Sequence, residues 1–309
     1  MTSERLDRRG LWVAVGSFVL WGVMPLYWHL LKSVPSMQII AHRIVWSTLL
    51  VAGWLGWKYG RGWLRETLSH PRAPWMLALS GGLIAFNWGM YIWAVNAGHV
   101  VETSLGYFIN PLLNVVLGVA LLHERLTRVQ WLSVAIATGG VLWLTFNYGS
   151  FPWIALSLAV SFGTYGLVRK LAGVAPVRGL GVESVYLVLP AIVLLLWGEM
   201  HGDGHVIAHG AVASWSWQIM GLLVLGGALT ALPLIGFADA VQRIPFSMVG
   251  VLQYIAPTMQ LMIGVLVFKE PFGSDRAIGF TCIWIALAIF AVDGVWRSRR
   301  ANAAGIAKG

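Results

Sequence analysis

Polar side chains recur at helical spacing inside long apolar stretches of this sequence. Tyr107, Asn110 and Asn114 are separated by three and four residues, so they share one stripe of a helix. Asn87 and Tyr91 lie four residues apart and share a face in an earlier stretch. These groups exchange hydrogen bonds, and at membrane depth they need either water or a partner. The pattern indicates a neutral cavity that binds a solute.

A second polar stripe occurs late in the chain, where Gln253 and Gln260 flank Pro257. Asn114 and Gln260 hold equivalent positions of a repeated pattern, so the two stripes could face one cavity. The alternative is that these amides hydrogen-bond one helix to another, as they do in many membrane proteins. The residues predicted to contact substrate are Trp21, Asn87, Tyr91, Tyr107, Asn110, Asn114, Gln253 and Gln260.

Two charged residues, Arg43 and Glu102, are expected near the outer ends of their helices. An unpaired charge in lipid is costly, so the two side chains are expected to form an ion pair. Two interpretations remain open. Either the pair locks the helices together, or Arg43 binds a carboxylate and Glu102 acts as a proton-sensitive gate.

Two acidic residues, Glu183 and Asp239, are expected toward the inner ends of their helices. We predict that they act as an inner gate or in coupling rather than in substrate binding. Nearby cations offer them partners. The available partners are Arg169, Lys170 and Arg243.

The sequence contains no zinc-protease, nucleotide-binding or hydrolase motif. A late segment holds His201, Asp203, His205 and His209, but the glycines between them disfavour a helical metal site. We therefore expect no metal, no cofactor and no enzymatic activity. Without a phosphate-binding loop, uphill transport would draw on an ion gradient or on exchange rather than on ATP.

The elements that must position these residues are membrane helices. Of the 309 residues, 58% are hydrophobic and 11% are charged, which is more apolar than a soluble chain requires. A span needs about twenty apolar residues. The ten predicted spans are 11–31, 38–57, 75–97, 100–122, 129–146, 152–168, 180–198, 215–238, 245–268 and 277–296.

The formal net charge of +9 is distributed unevenly between the two sides of these spans. Of the 21 Lys and Arg residues, seventeen lie on the side of the N-terminus, three lie on the opposite side, and Arg43 falls within a span. This asymmetry predicts that both termini are cytoplasmic. It leaves no long basic surface for nucleic acid, so the expected partners are a small-molecule substrate and membrane lipids. The oligomeric state stays open.

A repeat relates the two halves of the chain. Pro111 is followed by Gly118 and Glu124, and Pro257 is followed by Gly264 and Glu270 at the same separations. Five spans per half make the second half enter the membrane from the opposite side, so the repeats are inverted. The symmetric prolines are expected either to bend their helices or to open them beside the site. The predicted segments are a cytoplasmic N-terminus at 1–10, repeats at 11–147 and 148–297, and a cytoplasmic, disordered tail at 298–309.

Several segments resemble RarD-type proteins of the EamA group in the drug/metabolite transporter superfamily. They are Leu20-Trp21-Gly22 with the run from Pro25 to Trp28, Ala41-His42-Arg43, and the stretch from Glu102 to Pro111. The resemblance extends over about residues 10–297, and the stretch from Ser104 to Pro111 is its most specific part. It implies ten helices in two inverted halves, an inner-membrane location and export of small metabolites. His29 stands where lysine is common in the family.

The sequence thus predicts an all-α secondary transporter in the bacterial inner membrane. It would export small metabolites, either amino-acid-like or amphipathic, by alternating access with coupling to an ion gradient or exchange. The alternative is a lipid translocase or scramblase whose polar groove faces the bilayer sideways.

Overall fold

The computed structural model describes residues 7–97, 99–148, 151–201, 217–269 and 273–306. Every regular element in these ranges is a helix. The helices are α1 (Arg8–Leu30), α2 (Ser36–Tyr59), α3 (Trp63–Leu68), α4 (Ala73–Asn96), α5 (Val100–Leu121), α6 (Arg128–Tyr148), α7 (Trp153–Ala172), α8 (Pro176–His201), α9 (Trp217–Arg243), α10 (Phe246–Gln253), α11 (Ile255–Leu266) and α12 (Ser274–Ile306).

Eight helices of the described ranges are long and apolar enough to cross a membrane. They are α1, α2, α5, α6, α7, α8, α9 and the α10–α11 pair taken together. This count confirms a multi-pass membrane protein but does not confirm ten spans. Helix α4 has 24 residues and no charged side chain, and α12 contains a shorter apolar stretch at Ala277–Asp293. Helix α12 continues to Ile306, beyond the point where a disordered tail is predicted.

The two proline-containing helices of the repeat differ. Helix α5 is continuous through Pro111, whereas the equivalent span is interrupted at Tyr254, where α10 ends and α11 begins. Pro257 has no N–H to donate to the carbonyl of Gln253, which explains an interruption at that turn. The expectation of an opened helix therefore applies to the second half and not to the first.

Several ion pairs and hydrogen bonds lie at the same end of the bundle as the start of α1. Arg243, at the end of α9, forms an ion pair with Asp7 just before α1. At the same end the amide of Gln242 donates to the carbonyl of Val174, and Arg178 pairs with Glu66 in the connection around α3. We call this the Asp7 end. The opposite end carries the α1–α2 turn.

Helices from the two halves of the chain pack closely against each other. The extensive pairs are α1 with α9 and α11, α7 with α4 and α5, α2 with α8 and α9, α5 with α10, and α6 with α12. Glycines allow the closest approaches, as small residues do in lipid. A side chain at Gly227 would meet the backbone of Ser47 at 2.7 Å, and one at Gly140 would meet the carbonyl of Gly279 at 2.8 Å.

Candidate functional site

Arg43 lies on α2 between two aromatic rings. Its guanidinium carbon is 4.7 Å from the ring centroid of Trp28 and 5.1 Å from that of Trp88. Its Nε donates a 2.8 Å hydrogen bond to the Thr230 hydroxyl on α9. Helices α1, α2, α4 and α9 thus hold the guanidinium from several sides. Cation–π contact and one hydrogen bond stabilise the charge.

Two tyrosines of the predicted site lie beside this arginine. Tyr91 and Tyr107 have ring centroids 6.0 Å apart, and their exposed fractions are 36% and 40%. Among the described residues, both tyrosines, together with Tyr27, are the titratable neighbours of the Arg43 charge. The structure therefore brings three sequence-predicted residues together. We call Arg43, Trp28, Trp88, Tyr91, Tyr107 and Thr230 the Arg43 cluster.

Glu183, on α8, forms a buried ion pair with Arg169 on α7. The Arg169 Nη1 and Glu183 Oε1 atoms are 3.4 Å apart, and both side chains are almost fully buried. The Ser80 hydroxyl on α4 donates a hydrogen bond to the same Glu183 oxygen, and Arg169 Nη2 donates to the carbonyl of Pro176 at 3.0 Å. Of the three cations named as available partners in the sequence, Arg169 is the one that pairs with Glu183 in the structure.

Sequence reasoning missed the two small residues that make this pair possible. A side chain at Gly179 would collide with the Arg169 guanidinium, so glycine leaves the space that the cation fills. Ser80 precedes the Gly81-Gly82 pair in the first half of α4, and its side chain is fully buried. A lone serine within an apolar span was the available signal, since a buried hydroxyl requires a partner.

A small cavity lies between the Arg43 cluster and the buried ion pair. Trp88 and Thr230 line it on one side, and Glu183 and Ser184 line it on the other. The volume open to water is about 20 Å³, which is room for a single water molecule. In this conformation the helices are therefore closed around the polar groups that line this cavity. A metabolite enters the cavity only if the helices separate.

The amides of the predicted site are hydrogen-bonded to neighbouring helices. Asn114 donates to the side-chain oxygen of Gln253 at 2.8 Å, joining α5 to α10. Asn110 donates to the carbonyl of Ala159 at 2.8 Å, and Asn87 donates to that of Leu158 at 2.9 Å. In this conformation these amides connect helices, which is the alternative that the sequence left open.

Trp21 and Gln260 lie elsewhere in the core. The side chain of Gln260 donates to the backbone carbonyl of Trp21 at 3.1 Å, which connects α11 to α1. The Trp21 ring packs against Phe18, Phe162 and Phe237, with centroids 5.8 to 5.9 Å away. In this conformation Trp21 belongs to a central aromatic core, apart from the Arg43 cluster.

Asp239 pairs with Arg243 one helical turn away, at 2.7 Å. The same arginine contacts Asp7, which caps α1 by accepting from the backbone N–H groups of Arg9 and Gly10. The Gly10 hydrogen bond, followed by the contact with Arg243, lowers the pKa of Asp7 below its usual value. The Asp7 end thus holds a small surface network that includes one of the predicted gate residues.

Glu124 caps a helix of the other half, a role that the sequence did not predict. Its carboxylate accepts from the backbone N–H of Phe246 at 2.6 Å and from that of Ser247 at 2.9 Å, and it also accepts from the Ser247 hydroxyl. A carboxylate at a helix N-terminus accepts hydrogen bonds from the free N–H groups and interacts favourably with the helix dipole. Glu124 therefore connects the α5–α6 turn to the start of α10.

Some predicted residues lie outside the described part of the chain. The side chain of Glu102 is one, so its pairing with Arg43 stays a prediction. Of the histidine-rich segment only His201 is described, whereas Asp203, His205 and His209 are not. No group of three or more metal-ligating side chains occurs in the described ranges.

Apolar helices that pack in pairs around buried ions and amides define a multi-pass membrane protein with a polar interior. Residues 8–146 match the EamA-like transporter family. The chain is 43% identical over 303 residues to a protein called RarD from Streptomyces exfoliatus, covering 98% of this chain and 94% of that protein. It is 39% identical to the RarD protein of Escherichia coli strain K12, covering 96% and 98%.

An uncharacterized transporter of Bacillus subtilis strain 168, called YojE, is 44% identical and covers 94% of this chain and 96% of its own length. A solved crystal structure with 19% identity superposes with a TM-score of 0.67 over 91% of this chain and 96% of that one, which supports the fold alone. The chain belongs to the RarD-type proteins of the EamA family of membrane transporters.

Proposed function

We propose that the protein is a secondary transporter that exports small metabolites by alternating access between two inverted halves of five helices. Helices α4 and α12 would complete the ten spans. Both termini would lie in the cytoplasm of a bacterium, and the Asp7 end would face it. The uneven distribution of lysine and arginine supports this orientation.

The packing of the helices is the observation that carries the proposal. Exchange of the halves maps α1, α2, α4, α5 and α6 onto α7, α8, α9, α10–α11 and α12. The contact of α1 with α9 then becomes that of α7 with α4, and α1 with α11 becomes α7 with α5. Likewise α2 with α9 becomes α8 with α4, and the pairs α2–α8, α5–α10 and α6–α12 map onto themselves. Such exchangeable packing supports two inverted repeats.

Individual contacts follow the same exchange. A side chain at Gly22 on α1 would meet Met259 on α11, and one at Gly163 on α7 would meet Leu113 on α5. Met259 and Leu113 are equivalent under a shift of 146 residues. The same shift separates Tyr254 from Phe108, which are joined by a buried hydrogen bond. Two close helix crossings therefore use matching residues in both halves.

Two polar regions at different depths suit a transport cycle. The Arg43 cluster lies toward the end with the α1–α2 turn, and the ion pair of Arg169 and Glu183 lies closer to the Asp7 end. We propose that substrate binds at the Arg43 cluster, in contact with Tyr91 and Tyr107. Glu183 would couple transport to protonation by leaving and rejoining Arg169, since a buried carboxylate that loses its cation is uncompensated until it takes up a proton.

The amides would act by changing partners during the cycle. Asn87, Asn110, Asn114, Gln253 and Gln260 hold neighbouring helices in the closed conformation, and we propose that they turn toward substrate when the helices separate. Asn114→Ala and Gln260→Ala should then change transport kinetics. Asn147→Ala is the matched control, because the Asn147 amide is exposed and donates to the carbonyl of Trp143 within α6. Unchanged kinetics in both core variants would remove the amides from the site.

The function is tested in two steps. Metabolites that differ between cells lacking and overproducing the protein are identified first, and their flux is then measured in reconstituted vesicles. Solute movement against its gradient, driven by an imposed pH gradient, is the expected result. In Glu183→Gln that dependence on pH should disappear, whereas Glu66→Gln should keep it. Movement of labelled lipid without any solute flux would favour the lipid translocase instead.

A further inference from the structure

The bonding around Arg43 leaves one edge of its guanidinium for a ligand. Trp28 and Trp88 lie over the guanidinium, and Thr230 accepts from Nε. An arginine has five N–H donors, and four of them belong to the two Nη atoms. No hydrogen-bond acceptor for those four occurs among the side chains and backbone that the structure describes. Arg43 is nevertheless partly accessible rather than sealed in the core.

No described carboxylate balances this charge. The ion pairs of the described residues join Arg169, Arg178 and Arg243 to acidic groups, and Arg43 is absent from them. Among the described side chains, the titratable groups that face Arg43 from α1, α4 and α5 are Tyr27, Tyr91 and Tyr107. These groups are neutral at physiological pH. The cluster therefore presents a single positive charge within an aromatic wall.

We propose that Arg43 binds the carboxylate of a small aromatic or otherwise apolar monoanion, and that this anion is the substrate class of the transporter. The proposal rests on the transport function proposed above. The two Nη atoms of an arginine form a planar fork that matches both oxygens of a carboxylate. The apolar body of the anion would pack against Tyr91 and Tyr107, residues that are 36% and 40% exposed.

The charge of the cluster favours a carboxylate over a phosphate ester. A phosphate monoester carries close to two negative charges near neutral pH. Arg43 supplies only one positive charge, and the titratable groups around it among the described residues are tyrosines. A monoanionic carboxylate would be neutralised, whereas a phosphate would keep a net charge within an apolar wall.

Binding is tested on purified protein in nanodiscs with pairs of probes that differ only in charge. The pairs are phenylacetate with phenylacetamide, and 3-phenylpropionate with 3-phenylpropanamide. The wild-type protein should bind each carboxylate more tightly than its amide. Arg43→Gln should weaken the binding of each carboxylate by about tenfold or more. It should leave the affinity for the amide nearly unchanged, because only the charged fork is lost.

Matched variants separate recognition from folding. Arg178→Gln removes an arginine that also lies over a ring, at 4.5 Å from Tyr59, but at the Asp7 end, and it should leave binding unchanged. Arg43→Lys keeps the charge without the fork and should bind the carboxylate with intermediate affinity. Glu102→Gln should keep the carboxylate preference if Arg43 serves substrate rather than a fixed ion pair.

The outcomes distinguish this proposal from the transport function. Equal binding of carboxylates and amides by the wild type, or equal loss of both in Arg43→Gln, would overturn carboxylate recognition. Solute flux in vesicles would still support transport in that case. Charge-selective binding without flux of any solute would support the carboxylate site at Arg43 but contradict the proposed transport function. Loss of carboxylate preference in Arg178→Gln would also overturn the assignment to Arg43.

Discussion

The hydroxyl of Tyr254 donates a 3.0 Å hydrogen bond to the backbone carbonyl of Phe108, which lies 146 residues earlier in the chain. The same shift relates Asn110-Pro111 to Ala256-Pro257, so the two residues hold equivalent positions in the two halves. A contact between equivalent positions lies at the axis that relates them. Both side chains are buried, with exposed fractions of 2% and 7%. Under the proposed inverted repeat, the bond joins the two halves at their centre.

Tyr254→Phe should lower the free energy of unfolding by about 1 kcal/mol, because it removes one hydrogen bond inside the membrane without leaving a cavity. Chemical denaturation in mixed micelles measures the change. Tyr186→Phe is the control, since the side chain of Tyr186 is exposed by 39%. Equal stability of both variants and the wild type would show that the bond contributes nothing.

Glu124→Ala should loosen the start of α10, because three hydrogen bonds to Phe246 and Ser247 are lost. Loss of such a cap costs about 0.5–2 kcal/mol. Amide hydrogen exchange of the segment Phe246–Gln253 should become faster, and the exchange of α1 should not. Glu66→Ala removes an exposed carboxylate at the same end and should leave α10 unchanged. Unaltered exchange in Glu124→Ala would contradict the cap.

His123 and Lys269 share an unusual backbone conformation that bears on this cap. They are the non-glycine residues with positive φ in the described ranges, at 56° and 58°. They are equivalent residues, and each directly precedes a glutamate of the repeat. Glycine tolerates this conformation without strain. His123→Gly should therefore preserve the protection of α10, whereas His123→Val should reduce it.

Gly179→Ala should disrupt the buried pair of Arg169 and Glu183, because its methyl group would occupy the space of the guanidinium. Separation of such a pair costs about 3–5 kcal/mol. Thermal unfolding in detergent should show a large loss of stability. Gly82→Ala is the matched control, since no atom lies within 4 Å of the added methyl group. A stable Gly179→Ala protein with an intact pH dependence of transport would reject the role of this pair.

Acid should loosen the start of α1 through Asp7. The folded structure lowers the pKa of this carboxyl below its ordinary value of 3.8, chiefly through the Gly10 hydrogen bond. A lowered folded pKa stabilises the protein above the unfolded pKa, and this contribution is lost as the pH falls through the folded pKa. The protection of the first turn of α1, measured as hydrogen exchange relative to the intrinsic rate at each pH, should therefore fall below pH 3.8.

Asp7→Asn separates this effect from general acid unfolding. Asparagine also caps helices well but has no carboxyl to titrate. The protection of the first turn of α1 in this variant should show little dependence on pH over the same range. An identical loss of protection in the variant and the wild type would assign the loosening to other groups.

The membrane helices could be predicted from the sequence because hydropathy is a local property. Most predicted spans overlap helices of the structure, including 100–122 with α5 (Val100–Leu121) and 129–146 with α6 (Arg128–Tyr148). The interruption of the helix at Tyr254 could not be predicted in the same way. Pro111 and Pro257 have the same local pattern, yet only the second span is divided. Packing against neighbouring helices decides whether a proline bends a helix or breaks it.

The sequence by itself determined which residues are polar at membrane depth and which cations could meet which acids. It predicted Arg169 as one possible partner of Glu183, and Tyr91 and Tyr107 as neighbours of a site. Only the tertiary structure decided that Asn114 bonds to Gln253 and that Arg43 lies between two tryptophans. Helical periodicity fixes the face on which a side chain lies, but the rotation and tilt of each helix decide what that face meets.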